Sequence, residues 1–249
     1  MLNPKKVFFV PYGYSDGLEL VLDKMDLFRV NIKARTNAFD DVKDKAFICW
    51  GLAHPSVRDR VERTKARVLN RPSRVLLALD KIKFLTLIKD KSYAVEFTRD
   101  SKVARDWLKN EHKVVARSLV NGHDGAGITM LRTLKDWKDD NDWKFFTKYV
   151  PKIAEYRVHV VNDEAIACSR RVMKNGEQPK ENGWEIRSHT NGFVFQKMAV
   201  NRVPKVVIDA AIDSVKTAGL DFAGADVFLT EDNKAHVCEI NTAPGIEGK

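Results

Sequence analysis

Short apolar runs alternate with amphipathic stretches along most of the chain, a pattern that predicts strands interleaved with helices. Residues 6–10 (K-V-F-F-V) read as a buried strand closed by a Pro-Tyr-Gly-Tyr turn, after which Ser15 or Asp16 can cap a helix carrying Leu18, Val21, Leu22 and Met25. A second strand covers 46–50, and His54-Pro55-Ser56 opens a second helix that runs to about Leu69. This βαβα start predicts a small parallel unit. Asn70 to Ser73 form a turn, 75–79 an apolar run, and Asp80-Lys81 the opening of a short helix over 82–88. A strand over 93–97 and a helix over 98–110 follow, the helix capped by Thr98 or Asp100, with Ala104, Trp107 and Leu108 on one side. Further strands are expected at 114–119, 128–131, 145–150, 156–161, 165–172 and 193–195. The helix over 204–218 has Pro204 in its first turn and Gly219 just past its end. Finally, the runs 223–229 and 235–240 flank a polar turn and predict a β-hairpin.

Period two sorts the side chains of that last hairpin. Glu239 and Asn241 share one face, Cys238 and Ile240 the other, and Asp226 can lie opposite the first pair. Two carboxylates and an amide oxygen are the donors Mg²⁺ takes when phosphates and water complete its octahedron. A hairpin whose acids merely face solvent is the plainer alternative. Upstream, the loop N-G-H-D-G-A-G (121–127) joins strand to strand, so it is neither a Walker A loop nor a Rossmann turn, both of which open a helix. Its glycines let backbone N–H groups approach an anion, and Arg117 supplies a cation nearby; a surface hairpin is the alternative. Arg157 and His159 share a face opposite Tyr156, Val158 and Val160, and Arg171 shares one with Ala167 and Ser169. Guanidinium groups on adjacent strands suit a phosphate clamp. Arg187 and Asn191 add a polar cluster in E-I-R-S-H-T-N-G-F.

Composition narrows the class. With 44% apolar and 31% charged residues over 249 positions, the chain can bury a core and divide into two or three subdomains. No apolar run approaches the roughly 18 to 20 residues of a membrane span, and the chain enters its first strand without a signal peptide, which points to the cytoplasm. Cys49, Cys168 and Cys238 lie far apart inside apolar runs, so neither a disulfide nor a zinc site is expected. The net charge of +9 favours anionic partners: nucleotide, acidic substrate or nucleic acid. Arg58, Arg60, Arg63, Lys65 and Arg67 on the second helix are the best nucleic-acid candidate, but Asp59 and Glu62 interleave with them as on a solvated face.

With these pieces placed, the sequence resembles the ATP-grasp carboxylate-amine ligases, in particular the ribosomal-protein glutamate ligase branch, over roughly 80–245. Carrying the resemblance are V-V-A-R before N-G-H-D-G-A-G-I, the hinge strand F-F-T-K-Y-V, Glu155-Tyr156-Arg157 with Arg171 on the next strand, the segment Arg187 to Gly192, and G-x-D before E-x-N-x-x-P-G. The wording of E-Y-R-V-H-V and E-I-N-T-A-P-G is also similar to ATP-grasp proteins of tailed phages.

The resemblance implies a mixed α/β and α+β architecture: a small N-terminal α/β domain (1–78), a small ATP-grasp subdomain with the glycine hairpin (79–144) and a large subdomain with the metal site (145–249), the last two clasping ATP. It implies ATP and Mg²⁺ or Mn²⁺ as cofactors, and amide formation through an acyl phosphate. Asp226, Glu239 and Asn241 would hold the metal. Arg117 and the loop Gly122, His123, Gly125 and Gly127 would neutralise phosphate together with Arg171, while Arg157 and Arg187 would stabilise the transferred group. Main-chain groups of Lys148, Tyr149 and Val150 would bind adenine, Lys152 or Glu155 would reach the ribose, and Asn191 would complete the cofactor set. Relatives often carry a lysine at the place of Arg117 and an amide or acid in the hinge, and they continue past the Pro-Gly turn where this sequence ends at Lys249. An acceptor pocket that is open, closed by a partner chain, or built for a large acceptor follows from that last difference. Expected partners are a small-molecule or peptide carboxylate and an amine, with a nucleic-acid acceptor as a variant. The competing class is an ATP-grasp-shaped module that binds nucleotide or nucleic acid without turnover.

Overall fold

The computed structural model of the chain describes residues 6–13, 19, 22–24, 28–29, 42–51, 54–122, 125–178 and 184–245. Three sheets organise them. The first is parallel, in the order β2-β1-β3-β4, and is made of β1 (Val7–Pro11), β2 (Phe28–Arg29), β3 (Ala46–Trp50) and, after helix α1 (Pro55–Arg63), β4 (Arg67–Leu69). Helix α1 buries Val57 and Val61, one turn apart, against Val10, Phe47 and Cys49. The expected helix with Leu18, Val21 and Met25 lies outside the described residues except for helical positions at 19 and 22–24.

Helices α2 (Pro72–Leu79) and α3 (Lys81–Ile88) follow, then β5 (Phe97–Thr98) and α4 (Ser101–Lys109). Asp80 caps α3 through the Ile82 and Lys83 N–H groups, and Asp100 caps α4 through Lys102 N–H. With β6 (Val114–Arg117), β7 (Ile128–Leu131) and β8 (Phe145–Lys148), β5 builds an antiparallel sheet in the order β5-β8-β6-β7. One face packs Ala116 and Phe146 on Ala104 and Leu108 of α4. The opposite face presents Val115, Arg117, Phe145 and Thr147 to a cleft.

Across the cleft stands an antiparallel sheet of β9 (Lys152–Val161), β10 (Glu164–Met173), β11 (Phe193–Met198), β12 (Phe222–Thr230) and β13 (Ala235–Asn241), ordered β11-β10-β9-β12-β13, with helix α5 (Lys205–Ala218) between β11 and β12 in sequence. Helix α5 buries Val207, Ala210, Ala211, Ser214, Val215 and Ala218 and ends on Gly219 at φ 70°. These residues meet Tyr156, Val158 and Val160 of β9 in the largest core.

Several elements differ from the sequence reading. Helix α1 stops at Arg63 and 67–69 turn to strand, because Thr64 is extended and β4 pairs in parallel with β3; Arg67 therefore leaves the arginine-rich face. Residues 72–79 form a helix rather than a turn and an apolar run. No local cap announces it; the Glu62 carboxylate accepts from Ser73 N–H and Oγ–H instead, a partner 11 residues away. Segment 93–97 is laddered only at Phe97; the rest runs beside β13, where Tyr93 O accepts from Val237 N–H. Helix α3, grouped with the glycine hairpin by the sequence reading, packs Phe84, Leu85 and Ile88 into the core of the five-stranded sheet. Among the described residues no helix is long and apolar enough to cross a membrane.

Candidate active site

Between the two antiparallel sheets lies a cleft of about 360 Å³, within the range of small-molecule sites. Its floor is the polar face of the five-stranded sheet. Asp226 of β12 pairs in register with both Arg157 of β9 and Glu239 of β13, and Asn241 stands opposite Gly224 two residues away. Both carboxylates and the amide therefore look into the cleft. A β-bulge interrupts the hairpin here: Asp226 faces Glu239, but Val227 faces Val237, so Cys238 is an extra residue. Strict alternation would turn Cys238 away from Glu239; the bulge brings it into the cleft lining instead. Burial pushes its thiol up to about 12, which makes it an inert surface rather than a nucleophile.

Every acid on this floor has a cation. Arg157 donates from Nε and Nη2 to the two Asp226 oxygens at 2.6 and 2.7 Å, a bidentate fork. Burial opposes the Arg157 charge, but the Asp226 carboxylate outweighs it and raises its pKa. Lys81 Nζ lies 3.1 Å from Glu239 Oε2 and donates to Gly122 O at 2.8 Å, so one nearly buried ammonium ties the acidic hairpin to the glycine loop. Burial works to raise the Glu239 pKa, yet Lys81 and Arg117 hold it below the usual carboxylate range. Glu155 sits 3.0 Å from Arg171 Nε and 3.9 Å from Lys152 Nζ; burial is the larger influence and raises its pKa, as it lowers that of Lys152.

The opposite wall carries Arg117, Gly122 and Gly125. Gly122 is forced: a Cβ there would lie 2.6 Å from Ala126 O. Gly127, at φ 71°, is held within the hairpin, where its carbonyl accepts from Ser118 N–H, and it does not line the cleft. His123 lies outside the described residues. At the far end Lys148, Tyr149 and Val150 line the cleft, but the N–H groups of Lys148 and Tyr149 are already donated to Glu96 O and Lys113 O. The main-chain reading of the hinge is narrowed accordingly to its carbonyls and the Val150 N–H.

Segment 184–188 closes the same end. Glu185 pairs with Lys113 Nζ at 2.6 Å and Arg132 Nη2 at 2.5 Å on the four-stranded sheet, while its carbonyl accepts from Lys152 Nζ at 2.7 Å. Arg187 lines the cleft and donates to Lys152 O. Asn191 does not line it; its amide donates to Ile186 O and so holds the segment's shape. Sequence reasoning missed Lys81 and Glu185. Lys81 follows the Asp80 helix cap and reads as an ordinary first-turn residue, and Glu185 acquires its partners only when the sheets face each other.

The sequence profile of the RimK-like ATP-grasp domain matches residues 145–249. A probable alpha-L-glutamate ligase of Citrobacter koseri is 27% identical over 139 residues, covering 52% of this chain and 43% of the relative; the chain spans about half the length of the curated relatives it matches. Among solved structures, the ATP-grasp ligase PsnB complexed with minimal precursor superposes with a TM-score of 0.71 at 15% identity, over 98% of this chain and 93% of that one. The same ligase with minimal precursor, Mg and ADP gives 0.68 at 16% identity, over 100% and 92%. These likenesses agree with the clasp of two antiparallel sheets: the chain has the ATP-grasp fold and, over residues 145–249, is similar to the RimK-like ATP-grasp domain.

Proposed function

We propose that the protein is an ATP-dependent carboxylate-amine ligase that joins an amino-acid or peptide carboxylate to an amine, releasing ADP and phosphate. The observation that carries this reading is the facing of Asp226, Glu239 and Asn241 across one cleft from Arg117 and the Gly122 and Gly125 backbone, with Lys81 between them. Two carboxylates and an amide suit a hard divalent cation that takes its remaining oxygens from phosphates and water. Among the described residues no three His, Cys, Asp or Glu gather at one point, so in this reading the ion would take its remaining ligands from nucleotide and water. Such an ion, when bound, neutralises triphosphate charge.

In this reading the chain's own residues position and neutralise rather than attack. Lys81, Arg117 and the glycine loop hold the phosphates. The hinge carbonyls and the Val150 N–H read the base, and Lys152 and Glu155 border the sugar. Arg157, Arg171 and Arg187 take charge from the phosphoryl group as it passes to the substrate carboxylate; the amine then attacks the carbonyl carbon of the acyl phosphate, forming the C–N bond as the C–O bond to phosphate breaks and phosphate leaves. The named relatives support the class of reaction: they are called a probable alpha-L-glutamate ligase and an ATP-grasp ligase complexed with minimal precursor. Mass spectrometry of reactions supplied with ATP, Mg²⁺ and pooled amino acids should show ADP together with a product one water lighter than the two substrates combined. ADP without any condensed product, or no ADP with any pool, would count against the ligase.

A further inference from the structure

The ligase reading takes Arg157 and Arg171 to meet the phosphoryl group in transfer, and the present inference rests on it. Both arginines stand over one aromatic ring. Phe195 of β11 pairs in register with Arg171, and its ring centroid lies 4.1 Å from Arg171 Cζ and 4.3 Å from Arg157 Cζ. Arg157 pairs with Ser169, two residues along β10 from Arg171, so it reaches the ring diagonally past a small side chain. The Arg171 and Arg157 side chains are 11% and 17% exposed, so the contacts are made away from bulk water, where the ring quadrupole acts most strongly on a cation.

Their other supports are weaker than they look. Arg171 Nε lies 3.0 Å from Glu155 but makes no hydrogen bond, so the carboxylate supplies charge without fixing the plane of the group. Arg157 has its fork with Asp226, the same carboxylate proposed to turn to a divalent ion. A carboxylate holds an arginine by taking N–H groups that a phosphoryl oxygen also needs. An aromatic face holds it by the flat side and takes none.

We propose that Phe195 is a positioning residue, which orients Arg157 and Arg171 toward the terminal phosphoryl group while leaving their N–H edges free to donate. Its effect should therefore fall on ATP and not on ADP. The test is calorimetric binding of Mg·ATP and Mg·ADP to the wild type, Phe195→Leu, Phe195→Tyr and protein carrying pentafluorophenylalanine at 195, which keeps the ring's shape and inverts its quadrupole. Leucine and the fluorinated ring should each lose about tenfold in ATP affinity relative to ADP, and tyrosine should retain the wild-type ratio. If the leucine variant does not fold, the fluorinated ring carries the test alone. An ATP-to-ADP ratio unchanged by fluorination, or an equal loss for both nucleotides, overturns the inference while leaving the ligase intact. A wild type that binds neither nucleotide overturns the ligase reading and this inference with it.

Discussion

Asn70 fastens the parallel sheet to the core. It is fully buried at φ 56°, a backbone position Asn tolerates better than most residues. Its Oδ1 accepts from the N–H groups of Asp221 and Phe222, its Nδ2 donates to Phe222 O, and its own N–H donates to Asp221 Oδ2. Asn70→Ala leaves buried groups of β12 without partners and should cost about 3 kcal/mol in urea unfolding; a loss below about 1 kcal/mol would show that water replaces them. Nothing in the sequence distinguishes this Asn from a turn residue, because its partners lie about 150 positions away. Asp226, Glu239 and Arg157 were more legible. Alternation along β9, β12 and β13 fixes which face each side chain takes, so their gathering could be read from spacing. Cys238 was misread for the same reason, since a bulge breaks the alternation without a mark in the residue types.

Elements with local signals were read well and those held by distant partners were not. Helix α5 carries its own proline, glycine and apolar stripe, whereas α2 borrows its cap from Glu62. The segment carrying Glu185 is of the second kind, and Glu185 ties it to both Lys113 and Arg132 across the cleft. Burial opposes the Glu185 charge, but these two cations outweigh it and hold the carboxyl below its ordinary value of 4.5. A depressed pKa means stabilisation present above pH 4.5 and lost as the pH falls through the lower folded value. Glu185→Gln should therefore lower the thermal midpoint at pH 7, and the gap from the wild type should close on acidification below about pH 4.5. A gap independent of pH would assign the effect to packing instead.

At the scale of the molecule, the three sheets meet where chemistry is proposed. The carboxyl ends of β1 and β3 lead to Tyr12 and Gly51, and Gly51 N–H donates to Thr242 O just past the acidic hairpin. A Cβ on Gly51 would lie 2.8 Å from Tyr12 and 3.2 Å from Ala243, so only glycine allows this approach. Parallel sheets bind ligands at such ends, so in the proposed reaction the acceptor would approach from this side. The central claim is that Asp226 and Glu239 hold a divalent ion between the sheet and a nucleotide. It is tested most directly by measuring ATP affinity with and without Mg²⁺ for the wild type, Asp226→Asn and Glu239→Gln. The account predicts that Mg²⁺ strengthens ATP binding to the wild type by at least about tenfold, roughly 1.4 kcal/mol, and that either substitution abolishes the gain. Binding that is indifferent to Mg²⁺, or a gain that survives in both variants, would contradict it.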